Sequence, residues 1–141
     1  MYLAYQVKVQ SDEWGKSRIE NELRLREETI SRSLTLLASL LSTPLDNDAR
    51  PLKTYFGYVV DNEMHFKLVE DAFKGGVKPA PELMATWVNI TAALSYMEGI
   101  DKRRYDEQKV YTEAYVGSSF VRILDKLMAS AFKGKLKGHF A

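Results

Sequence analysis

The sequence predicts an all-α fold: a bundle of about four helices, with an extended N-terminal arm and a long first helix. Three observations lead there. Apolar residues recur at three- and four-residue spacings through most of the 141 residues. All four prolines fall between these stretches rather than inside them. Only the first ten residues alternate with the period of a strand.

That strand-like start sets Leu3, Tyr5, Val7 and Val9 against Ala4, Gln6, Lys8 and Gln10. A lone strand needs an edge to pair with, so an arm is expected, reaching the C-terminal tail or a neighbouring subunit. A helical pattern then runs from about Ser11 to Leu41, capped by Ser11 or Asp12. Its length is about 45 Å, more than the ~37 Å width of a compact chain of this size. Such a helix either projects or breaks. It stops near Ser42, because Thr43 precedes Pro44 and is pushed out of the α region.

The polar run Asp46, Asn47, Asp48 reads as a loop, and Pro51 suits the opening of a second helix. Its face is Leu52, Tyr55, Phe56 and Val59, continued after a break near Asp61 by Phe66, Val69 and Phe73, up to Gly75 and Gly76. Pro81 and Glu82 open a third helix, with Leu83, Trp87, Ile90, Leu94 and Met97 on one face and Gly99 at its end. Asp101 caps a fourth, from Tyr105 to Met128, which Gly117, Ser118 and Ser119 kink or interrupt. Beyond Phe132 the tail is rich in Lys and Gly and unsuited to a helix. Three segments result: 1–42 for assembly and nucleic-acid contact, 43–132 as the bundle, and 133–141 as a basic tail.

Twenty Lys and Arg face nineteen Asp and Glu, a net charge of +1, so no global field drives the chain onto nucleic acid or a membrane. Any electrostatic partner must be met by a local patch. The absence of cysteine excludes disulfides, thiolate metal sites and cysteine nucleophiles. The longest uncharged run, Ser33 to Leu45, is too short to span a bilayer, and the start lacks a secretory leader pattern. A cytoplasmic or particle-bound protein is expected.

Catalytic chemistry finds little to work with. There are two histidines, His65 and His139, and Glu63 with Glu70 lack the Glu-x-x-His spacing of a di-iron bundle. An acid/base pair of Glu63 and Glu70 beside His65 is the weakest of the functional readings, since ion pairs along a solvated helix produce the same pattern. No enzyme activity, cofactor, metal or small-molecule substrate is expected.

The first helix is more informative. At 100° per residue Ile19, Leu23, Ile30, Leu34, Leu37 and Leu41 share one face, to be buried against the bundle or a partner. Nearly opposite lie Trp14, Arg18, Asn21, Leu25 and Arg32. Together with Lys16, Arg24 and Arg26 these form a candidate surface for phosphates, with positioning but no base readout. The competing reading pairs Arg18 with Glu22 and Arg32 with Glu28 on a solvated face. Lys133, Lys135 and Lys137 of the tail are a second candidate. Lys102, Arg103 and Arg104 are a third cluster, placed where they oppose a helix dipole.

A strand-like arm, a long helix with Arg18, Asn21 and Arg32 on an outward stripe, and a compact helical bundle together resemble the capsid proteins of filamentous archaeal viruses. The resemblance is one of architecture along the whole chain. It implies a structural, non-enzymatic protein that self-assembles, alone or with a related second capsid subunit, into a filament around double-stranded DNA within a virion. Glu20, Glu22, Glu27 and Glu28 stand among the arginines, so phosphate neutralisation would be shared by many subunits. The alternative is a small helical binding subunit of a multi-subunit ribonucleoprotein complex, similar in size and class to those of CRISPR effectors.

Overall fold

The computed structural model describes residues 2–45 and 50–140. It is all-helical, with α1 (Tyr2–Leu41), α2 (Leu52–Asp61), α3 (Phe66–Lys74), α4 (Ala80–Ile100), α5 (Lys102–Val116) and α6 (Ser118–Ala131). The expected loop at Asp46, Asn47 and Asp48 lies outside the described residues.

Four expected helices become six because two of them break. Asn62 interrupts the second: its backbone is extended and its side chain accepts from the Met64 amide, opening a 3-10 turn, Glu63–His65, ahead of α3. Gly117 interrupts the fourth at φ 108°, a conformation that a side chain would strain, and so ends α5 and begins α6. Asp101 caps α5 as expected, accepting from the Arg104 amide at 3.2 Å.

The expected N-terminal arm is corrected. Residues 2–10 continue α1, which is 40 residues in one helix and about 60 Å long. Strand spacing stabilises a strand only where an edge supplies hydrogen bonds, and among the described residues the sole extended pairing is a bridge between Pro44 and Pro51. A helix satisfies its own backbone, and Ala4, Gln6, Lys8 and Gln10 tolerate it well.

The core centres on α4, where Leu83, Trp87, Ile90, Leu94 and Met97 are fully buried while Glu82, Ala85, Asn89 and Ala92 form an exposed strip on the other side. The C-terminal half of α1 lies along it and contributes Leu23, Ile30, Leu34, Leu37 and Leu41 to the same core, so segments 1–42 and 43–132 share one interior. Ile19 is on that face too, yet it is 45% exposed. The bundle ends before it reaches Ile19.

Candidate nucleic-acid interface

Among the described side chains of α1 Leu23 is the first to be buried, and nearly every one before it is exposed. About twenty residues of helix therefore project, about 30 Å by rise. The root of the projection is clamped by Arg104 of α5, whose Nε meets Glu27 Oε1 at 2.5 Å and whose Nη1 meets Glu20 Oε2 at 2.7 Å. The hydrogen bond to Glu27, with Glu20 adding to it, holds the guanidinium still more firmly protonated than usual.

The nine predicted contact residues divide into two groups. Lys16, Arg18, Asn21, Arg24 and Arg32 are all exposed on α1, and the four cations have no ion pair among the described residues. The Arg18–Glu22 and Arg32–Glu28 pairs of the competing reading do not occur among the described residues. Arg26 is drawn inward: it follows Leu23 by three and precedes Ile30 by four, so it flanks the buried face. Its guanidinium lies 4.6 Å from the centre of the Tyr96 ring and 3.9 Å from Glu22. Lys133 and Lys135 are exposed, whereas Lys137 bonds Glu98 on α4.

The third basic cluster is satisfied within the chain. Lys102 pairs with Asp106 at 2.8 Å, Arg103 with Glu107 at 3.6 Å, and Arg104 with the two glutamates of α1. Sequence spacing alone could have indicated the first two pairs, each four residues apart. It had no means of revealing the third, which joins residues far apart in the chain.

The tail does more than carry lysines. After α6, Lys133 at φ 54° and Gly134 at φ 72° reverse the chain, and residues 137–140 return to the bundle. Asp125, buried on α6, accepts from Trp87 Nε1 at 3.0 Å, from the His139 amide at 2.9 Å and from the Phe140 amide at 2.7 Å. A Cβ on Gly138 would stand 2.8 Å from Asp125 Oδ2, so only glycine lets the strap lie this close. His139 fits between Tyr105 Oη, 2.8 Å from Nδ1, and Ser95 Oγ, 2.9 Å from Nε2. Phe140 packs on Trp87.

Burial pushes His139 below its ordinary pKa of 6.5; Lys137 adds to this, while Glu98 and Asp125 oppose it. Burial likewise lifts Tyr105 to about 12. An unfolded chain takes up a proton on His139 near pH 6.5 that the folded chain refuses, so stability falls as the pH drops through and below that value. The urea midpoint is expected to decline between pH 7.5 and 5.5, and His139→Gln should flatten that part of the profile. The carboxylates with resolved shifts, Glu70 and Glu98, are held below 4.5 and titrate outside this window.

The acid/base candidates are dispersed. Glu63 borders a hollow with Arg122 and Lys126, while Glu70 borders another with Ser130 and Lys133. A hydrogen bond from Ser130 lowers the pKa of Glu70, the wrong direction for a general acid. Among the described residues no group of three metal-ligating side chains occurs, and no helix is long and apolar enough to cross a membrane. Compared with known proteins, the chain matches no family model, no curated protein and no solved structure.

Proposed function

We propose that this chain is a non-enzymatic structural protein that assembles, with itself or a related second capsid subunit, into a filament around double-stranded DNA. On this reading it is a major capsid protein, housed in a virion similar to those of filamentous archaeal viruses. The observation that supports it most is the projecting half of α1, an uncovered helix carrying Lys16 and Arg18 without ion pairs among the described residues, with Arg24 exposed just inside the edge of the bundle. Arg32 continues the Arg18 side of the helix along the bundle, and Lys133 and Lys135 add exposed charge elsewhere.

Each subunit brings few free cations, with Glu13, Glu20 and Glu28 among them. Phosphate contact by one copy is therefore weak, and grip comes from repetition. Such contacts release counterions and read no bases, so affinity should fall steeply with salt, by about 0.9 log units per log unit of salt for each phosphate engaged. The test joins negative-stain imaging of concentrated protein, with and without duplex DNA, to a salt titration of binding. Filaments are expected, together with roughly tenfold or greater weakening by the Lys16→Glu, Arg32→Glu double variant at low salt. A protein that stays monomeric when concentrated and ignores duplex DNA at low salt rejects the reading. Preference for single strands without filaments favours a small subunit of a ribonucleoprotein complex instead.

A further inference from the structure

We infer that the outward face of α1 pairs antiparallel with the same face of α1 in a second copy of this chain. The inference rests on the assembly half of the proposed function and names the surface that would carry it.

The face sets four large apolar side chains among Arg18, Asn21 and Arg32, more than a solvated helix face needs. Val7 is 64% exposed, Trp14 73%, Leu25 46% and Leu36 52%, and all four lie on the side of α1 away from the buried Leu23–Leu41 face. Trp14, Leu25 and Leu36 are eleven residues apart, close to three whole turns, which keeps the stripe nearly straight along the helix. Two of the four stand on the projecting half and two on the half held by the bundle. Among the described residues none buries either pair.

The stripe is complementary to itself when reversed. In a register where facing residue numbers sum to 39, Trp14 packs on the partner's Leu25, Val7 lies beside the partner's Arg32, and Arg18 sits next to the partner's Asn21. Antiparallel helices bring like flanks together. One flank then sets Arg18 against the partner's Glu22, and the other sets Arg24 against the partner's Glu13. A parallel pair would instead oppose Arg18 to itself and Trp14 to itself. Charge thus selects the antiparallel arrangement, and an isologous pair has this self-complementary form.

This register also gives the projecting half a place to lie. It runs along the exposed outer side of the partner's bundled half, and the partner's projection does the reciprocal, over about 40 Å from residue 7 to residue 32. Glu13 and Glu22, which would repel phosphates, enter ion pairs, leaving Lys8, Lys16 and Arg32 without an acid partner, with Lys8 and Lys16 clear of the seam and Arg32 at its end. Two bundles would then sit at opposite ends of a two-helix rod.

Absence of native cysteine makes the register directly measurable in the full chain. Val7→Cys and Arg32→Cys single variants are oxidised separately and as an equal mixture, without DNA. The mixture should form a disulfide-linked dimer and the separate variants should not, because in this register each residue is about 37 Å along the rod from its own copy. Cross-linking of Val7→Cys with itself, or none in the mixture, overturns the inference. Trp14→Glu should raise the dimer dissociation constant at least tenfold in sedimentation velocity with unchanged circular dichroism; unchanged association overturns it. Arg24→Glu should weaken the dimer and Glu13→Arg in the same chain should restore it. A chain that cross-links in this register but ignores duplex DNA upholds the pairing and removes only the nucleic-acid part of the proposed function.

Discussion

Asp125→Ala is expected to lower the unfolding free energy by about 3–5 kcal/mol, the largest loss from any single polar side chain here. The carboxylate is buried and serves three donors at once: the Trp87 indole and the amides of His139 and Phe140. Alanine would leave all three without an acceptor, in a place where water has little access. Strap residues 137–140 should then detach, and exchange at the Phe140 amide should rise to that of an open chain. Asp125→Asn separates charge from shape, because it keeps one acceptor oxygen but turns an NH2 toward donors. An intermediate loss is expected. Urea denaturation of the full chain measures both, and a loss below about 1 kcal/mol for alanine would show that the strap is held by Phe140 packing instead.

Leu34→Ala and Ile19→Ala should differ far more than their sequence positions suggest. Both residues lie on one face of one helix. Leu34 is fully buried, and its truncation should cost about 2–5 kcal/mol through lost transfer energy and the cavity left behind. Ile19 is 45% exposed beyond the edge of the bundle, and its truncation should change stability by no more than about 0.5 kcal/mol. Equal losses would mean that the bundle extends further along α1 than the burial pattern indicates. Thermal or urea unfolding of the two variants side by side decides it.

Much of the bundle could be read from spacing, because helix faces and caps are local. Asp101, the Gly117 break and the apolar positions of the third helix were all legible in this way, since each depends on residues within a turn or two. The first ten residues were misread because alternation is a property of side chains, while a strand is stabilised by a partner that this stretch does not have. Arg26 could have been withdrawn from the phosphate-facing group by its distances of three and four from Leu23 and Ile30. Asp125 also left a trace: a carboxylate among Val121, Leu124 and Met128 on one face requires internal donors. What no spacing discloses is which donors those are. Trp87, His139 and Phe140 reach Asp125 through tertiary folding, as Arg104 reaches Glu20 and Glu27.

The clamp of Arg104 on Glu20 and Glu27 divides α1 in time as well as in space. From residue 23 onward, opening a backbone hydrogen bond requires exposing core leucines, so amide exchange there should track global unfolding. Before residue 20 the same hydrogen bonds are held by helix propensity alone, and a solvent-exposed stretch of this length frays and reforms on the sub-microsecond scale. One helix, continuous in its geometry, thus has two lifetimes that meet near the Arg104 guanidinium. Whatever comes to cover the projecting half would be registered first as a lengthening of the shorter one.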